Sequence, residues 1–138
     1  MKVKVKKLHP NAVIPTYAKP GDAGLDLVAV KCVDFAEYTQ YYTGLAMEIP
    51  QGYVGLLFPR SSISTKKYMQ LANSVGVIDS SFRGEICMRF RESADNGYKA
   101  GDRIGQLIIM PYPEVELMEV DELSSSERGV GGFGSTGK

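Results

Sequence analysis

The chain has 138 residues, room for one domain and little more, and a domain of that size buries roughly two-thirds of its unfolded surface without a covalent or metal staple. Its 16 basic residues are balanced by 16 acidic ones, which excludes a broad nucleic-acid footprint and a polybasic membrane surface. Two cysteines and a single histidine, with no CxxC or HxE spacing, exclude a zinc cluster and a disulfide framework.

The chain opens on the alternating segment Lys2-Val3-Lys4-Val5-Lys6, with no apolar leader and no window of about 18 apolar residues anywhere. It reads as soluble, reducing and cytoplasmic, with no membrane partner. Fifteen glycines and seven prolines then punctuate short apolar runs at 25–33, 44–49, 53–58, 84–90, 104–110 and 115–120. Turn signals separate them at Lys19-Pro20-Gly21-Asp22, Pro50-Gln51-Gly52, Asp95-Asn96-Gly97 and Ala100-Gly101-Asp102. In the run ending at Phe90, alternation predicts that Ile86, Met88 and Phe90 share one face and Cys87, Arg89 and Arg91 the other. Cys32 and Cys87 lie in such runs, so each is expected to be a buried, reduced thiol. Many short strands at this spacing predict a sandwich or barrel, a jelly roll among them. Only 61–72, with Ser61, Ser62 and Ser64 as possible N-caps, has room for a helix, and a short one.

The last eleven residues change character. Glycine at 129, 131, 132, 134 and 137 makes this arm unsuited to packing as a strand, and it should be mobile when alone. Gly129-x-Gly131-x-x-Gly134 fits a dinucleotide fingerprint, and Gly132 to Gly137-Lys138 fits most of a phosphate-binding loop. Both motifs need a preceding strand and a following helix, so neither fold is assigned. The physics they share remains: successive side-chain-free amides can wrap an anion. A bare linker has no need of the embedded Arg128, Phe133, Ser135 and Thr136, which favours a binding role over a loose tail.

Four further segments carry polar groups among apolar ones. Pro59-Arg60-Ser61-Ser62 joins a strand to the possible helix start, offering a guanidinium, two hydroxyls and free amides; alone it is equally an N-cap with an exposed arginine. Asp79, within Gly76-Val77-Ile78-Asp79-Ser80-Ser81-Phe82-Arg83-Gly84-Glu85, stands at the mouth of an expected hairpin, where a turn-forming role is the plainer alternative. Asp26 in Ala23-Gly24-Leu25-Asp26-Leu27 and Gln106 in Gly101-Asp102-Arg103-Ile104-Gly105-Gln106-Leu107 complete the set.

Taken in order, these five segments resemble the five motifs of the homotrimeric dUTPase family, from about Pro20 to Lys138. Val5-Lys6-Lys7-Leu8, Thr43-Gly44-Leu45 and Ile49-Pro50-Gln51-Gly52-Tyr53 add flanking likeness. The resemblance implies an all-β, distorted jelly roll (a dUTPase-like β-barrel or sandwich) with at most one short helix. It divides the chain into a β domain over 1–127 and a flexible arm over 128–138. It implies a homotrimer whose active sites are shared between subunits and closed by that arm.

The implied reaction is Mg²⁺-dependent hydrolysis of dUTP to dUMP and pyrophosphate, by water attack on the α-phosphate. Such a reaction limits uracil incorporation into DNA and supplies dUMP for thymidylate synthesis. Carried over by position, Asp26 would hold a water on the Mg²⁺ that the triphosphate chelates. Arg60, Ser61, Ser62 and Gln106 would meet phosphate or its waters. Backbone groups of Gly76, Val77, Ile78 and Cys87, with Asn73, would read the uracil edge, and Phe82 would lie under the deoxyribose. Arg128, Phe133, Gly134, Ser135 and Thr136 would form the lid, Phe133 over the uracil. Asp79 would orient and activate the water; with no histidine or nucleophilic cysteine in place, covalent catalysis is not expected. Four positions depart from the family: Phe82 where Tyr is usual, Ser81 for Asp, Ser62 for Gly, and Gly105 for Ala, the last expected to be a small change. A dCTP deaminase shares the fold but suits the glycine-rich arm less well, and ammonia release would distinguish it. A pure interaction protein would need a binding loop or added domain, and the sequence offers none.

Overall fold

The computed structural model describes residues 1–66, 69–92 and 97–134. The described chain is a distorted jelly roll of antiparallel strands, as expected. Its strands are β1 (Lys4–Lys7), β2 (Leu25–Val28), β3 (Lys31–Asp34), β4 (Thr39–Tyr42), β5 (Leu45–Glu48), β6 (Tyr53–Pro59), β7 (Met69–Leu71), β8 (Gly76–Ile78), β9 (Cys87–Glu92) and β10 (Arg103–Pro111). They form two four-stranded sheets, β2-β10-β6-β8 and β3-β4-β9-β7, and a ribbon of β1 with β5.

The turn signals act where glycine is needed. Gly21, Gly52 and Gly101 adopt φ of 91°, 80° and 92°, the left-handed region that side chains resist. At two of them an aspartate closes the turn, Asp22 accepting from Lys19 N–H at 2.8 Å and Asp102 from Lys99 N–H at 2.7 Å. The turn expected at Asp95-Asn96 lies outside the described residues. Alternation sorts β9 as the sequence predicts: Ile86, Met88 and Phe90 are buried, Arg89 and Arg91 exposed. Between the sheets, Leu27, Leu57, Ile104 and Leu107 pack with Tyr41, Phe90 and Tyr98, whose rings meet edge-on at 5.8–5.9 Å.

Four expectations are corrected. The short helix expected within 61–72 does form, as the single turn α1 (Ile63–Lys66), but Met69–Leu71 is a strand, because it finds a partner in β9. The run 25–33 breaks into β2 and β3, which belong to different sheets. The run 115–120 forms no strand; Val115, Leu117 and Met118 stand in solvent beyond the end of β10. Cys32 is exposed rather than buried, since β3 is a sheet edge whose four residues all face water.

Candidate active site

The two sheets part at one edge, where β8 ends the first and β7 ends the second. A cavity of about 470 Å³ opens there, bordered by Asn73, Gly76, Ile78, Phe82, Glu85 and Cys87. Its walls are strand edges. Among the described residues β8 pairs with β6 alone, and its Gly76 and Ile78 border the cavity. β9 pairs with β7 only from Phe90 onward, so the Cys87 end of β9 is open on the same side. Backbone donors and acceptors of two strand segments thus border one space, as in a sheet lacking a strand. Gly76 brings β8 close to β6: a Cβ there would lie 3.0 Å from Leu57. Val77, expected to help read the base, is exposed and borders the neighbouring cavity instead.

The link between β8 and β9 is not the expected hairpin. The two strands belong to different sheets, and residues 79–86 cross from one to the other. Phe82 N–H donates to Asp79 O at 3.1 Å, and Arg83 Nη1 donates to Ser80 O at 2.6 Å and Phe82 O at 2.9 Å, so the turn holds itself. Thr43-Gly44-Leu45 anchors the far end. Thr43 Oγ1 donates to Ile86 O at 2.7 Å, and Gly44 N–H donates to Glu85 Oε1 at 2.7 Å. Asp79 is exposed at this turn and borders a neighbouring cavity with Val77, Ser80, Ser81 and Tyr112, not the one Phe82 borders. Burial, and then the Glu85 carboxylate, push the Cys87 thiol up to about 11, with Arg89 and Lys31 pulling weakly the other way. Cys87 is therefore a neutral thiol at physiological pH, suited to lining a pocket and unsuited to nucleophilic attack.

A second cluster forms around Asp26 on β2. Arg103 Nη1 donates to Asp26 Oδ2 at 3.1 Å, Gln106 Nε2 to Oδ1 at 3.3 Å, and Arg60 Nε lies 3.8 Å from Oδ1. Cross-strand register explains it: Asp26 and Phe58 both stand opposite Gln106, and Arg60 follows the end of β6. Gly24 leaves room for the Gln106 amide, since a Cβ there would lie 3.1 Å from it. Ser62 O accepts Lys66 N–H at 2.9 Å, so Ser61 and Ser62 open the single helical turn. The carboxylate is mostly covered, and cationic donors dominate its surroundings. Arg103 escapes sequence reading because only a shifted register brings it to Asp26.

The structure thus brings together Asp26, Arg60 and Gln106, and separately Asn73, Gly76, Ile78, Phe82 and Cys87. Neither group includes the arm. Arg128 Nε donates to Gly131 O within the arm at 2.8 Å, Phe133 is fully exposed with φ 49°, and Gly134 follows at φ 92°. Ser135 and Thr136 lie outside the described residues. Among the described residues no group of three or more histidines, cysteines or acids could hold a metal ion. A lone carboxylate hydrogen-bonded by arginine and glutamine does not build a resident metal site. It does fit a hydrated cation arriving with a ligand, since Mg²⁺ keeps several waters.

The family model described as dUTPase matches residues 10–137. The chain is 42% identical to the deoxyuridine 5'-triphosphate nucleotidohydrolase of Picosynechococcus sp. over 99% of both chains. It is also 42% identical to that of Nautilia profundicola over the whole of both. Its structure superposes on Staphylococcus bacteriophage 80alpha dUTPase with dUpNHpp at a TM-score of 0.86, with 32% identity over 99% of each chain. A variant of the dUTPase from Staphylococcus aureus phage phi11 that coordinates a structural Mg(II) ion superposes at 0.77, with 28% identity over 88% of this chain and 98% of that one.

Proposed function

The chain belongs to the dUTPase family, and on that premise we propose that it hydrolyses dUTP to dUMP and pyrophosphate by attack of water on the α-phosphorus. The observation that carries this reading is the cavity between β8 and the start of β9, where two strand edges border one space with Phe82 beside them. Uracil presents donors and acceptors along one edge, as a peptide does, and suits the place of a missing strand. A cytosine would leave buried backbone groups mismatched, which is a strong rejection, and a 5-methyl must find room among the side chains.

Phosphoryl transfer of this kind needs positioning and charge neutralisation more than covalent help. Arg60, Ser61, Ser62 and Gln106 bind phosphate oxygens, and Asp26 is the residue that would hold, through water, a Mg²⁺ arriving with the triphosphate. The cation, when bound, draws charge from the departing pyrophosphate. Asp79 orients the attacking water and accepts its proton. Arg128, Phe133, Gly134, Ser135 and Thr136 close over the nucleotide and exclude bulk water.

The site is completed by a homotrimer. In one chain the phosphate-binding cluster does not border the cavity that holds Phe82, and Asp79 lies beside that cavity, not in it, which favours a site assembled from more than one subunit. The bare run Val115, Leu117, Met118 and Leu123 is apolar surface of the kind a second copy covers. Pyrophosphate release from dUTP, dCTP, dTTP and UTP, with and without Mg²⁺, tests the reading. Mg²⁺-dependent turnover of dUTP alone is expected, and no release from dUTP overturns it.

A further inference from the structure

Phe82 is held in place by what is missing two residues later. A Cβ built on Gly84 would fall 2.6 Å from Phe82 Cζ and 2.9 Å from Cε2. Carbon atoms rest at about 3.5–4.0 Å, so the ring now lies in the space that any side chain at 84 would fill. Backbone conformation does not account for the glycine, because φ at 84 is not in the left-handed region.

The main chain around it has little freedom to yield. Beyond Gly84, Ile86 N–H donates to Leu45 O at 2.8 Å and Ile86 O accepts from Thr43, while the Glu85 carboxylate accepts the Gly44 N–H. Before it, the Arg83 guanidinium ties Ser80 O to Phe82 O, and Phe82 N–H closes on Asp79 O. With both flanks tied, the part left to move is the ring, which turns about its own two torsions. Its ground is the rim of the cavity bordered by Gly76, Ile78 and Cys87.

We propose that Gly84 is a positioning residue for sugar recognition: it provides the seat that fixes the Phe82 ring beneath the deoxyribose. The inference rests on the reading that Phe82 meets the sugar. Gly84 touches no substrate and acts only through the ring. A methyl at 84 displaces the ring by about 1 Å, the difference between 2.6 Å and ordinary carbon contact. Because the ring touches sugar and not the reacting phosphorus, the damage falls on KM for dUTP more than on kcat.

The test is a double-mutant cycle on the full-length protein with steady-state kinetics on dUTP and UTP. Gly84→Ala is expected to raise KM for dUTP about tenfold, with a smaller change in kcat. Phe82→Ala is expected to raise it and to narrow the preference for dUTP over UTP. In Phe82→Ala protein, adding Gly84→Ala should change KM less than twofold, because the ring it would displace is gone. Additive effects, or no effect of Gly84→Ala alone, overturn the proposal while leaving the Phe82 reading intact. No effect of Phe82→Ala on KM or sugar preference overturns both. Should Gly84→Ala fail to fold, thermal melting decides: the double variant regains a native transition if the ring is the obstacle. A double variant equally unfolded overturns the proposal.

Discussion

Arg103 reaches Asp26 across 77 residues of sequence because β10 carries one extra residue between Arg103 and Gly105. In a regular strand, residues three apart point to opposite faces, so Arg103 and Gln106 could not serve one carboxylate. The bulge puts both on the Asp26 side. It also leaves Ile104 and Gly105 buried in succession, which a strictly alternating strand does not do.

Arg103→Gln is therefore expected to loosen Asp26 and, on the proposed role of Asp26, the binding of a hydrated Mg²⁺. Loss of an outer partner of this kind typically costs ~10–100-fold in metal affinity or activity. The readout is the Mg²⁺ concentration giving half-maximal dUTP turnover, which should rise while kcat at saturating Mg²⁺ changes little. The thermal midpoint should move by less than ~4 °C, because Arg103 is half exposed and such pairs contribute little to stability. An unchanged Mg²⁺ dependence would remove Arg103 from the site.

Much of this site is legible in the sequence, because its parts are local. The carboxylates, the arginine-serine step and the turn glycines are fixed by residue type and near neighbours. What sequence does not show is pairing. Periodicity cannot tell that β8 and β9 join different sheets, so Asp79 reads as a hairpin residue when it stands on a crossover. Nor can it place the bulge that recruits Arg103, or the partner that makes a strand of Met69–Leu71. The same gap explains 115–120, a short apolar run that reads as one more strand but which no other segment of the described chain pairs. Cys32 misleads for a related reason: a strand-like run gives no sign that its strand is an edge.

Asp79→Asn tests the general base. The amide keeps the size and cannot accept a proton, so kcat should fall by ~10²–10⁴-fold. Binding of a non-hydrolysable dUTP analogue, measured by calorimetry, should be retained within severalfold. Near-normal single-turnover rates would assign activation of the water elsewhere.

Deleting residues 128–138 tests the arm. Among the described residues, Arg128 Nε donates to Gly131 O within the arm, and Val130 and Phe133 are fully exposed, so their removal takes no packing from the core. If the arm is the proposed lid, turnover should drop by at least ~100-fold, because bulk water is no longer excluded and phosphate contacts are lost. The melting temperature and the mass in light scattering, which the proposed homotrimer sets at three chains, should persist. Full activity of the truncated protein would show that the arm is not a lid.

The Cys87 thiol makes stability depend on alkali. Its folded value of about 11 stands above the ordinary 9.0, so the folded chain keeps a proton that the unfolded chain releases. The associated stability is fully present below pH ~9 and is lost as pH rises through ~11. Urea unfolding of the protein and of Cys87→Ser across pH 8 to 11.5 isolates this contribution, because the serine does not titrate there. The stability difference between the two should shrink as pH rises. At pH 8 a thiol reagent should label exposed Cys32 fast and Cys87 slowly. A pH-independent difference would mean that Cys87 keeps its ordinary titration.

Gly105, where the family usually has alanine, is a larger departure than its one missing methyl suggests. A Cβ there would lie 2.3 Å from Met88 Sδ, 2.4 Å from Met88 Cε and 2.9 Å from Phe58 O. The fully buried Met88 fills the space that an alanine would take, so the two positions form one packing unit. Gly105→Ala should destabilise by ~1–3 kcal/mol, the usual cost of overpacking a filled core. Met88→Val alone should also destabilise, by leaving a void. Combined, the two should cost less than their sum by ~0.5–3 kcal/mol, because the shorter side chain makes way for the methyl. Recovery stays incomplete, since the Phe58 carbonyl belongs to the paired backbone of β6 and cannot withdraw. Urea unfolding of the four proteins gives the coupling directly. Strict additivity would mean that Met88 swings clear at no cost, and that the glycine is set by β6 alone.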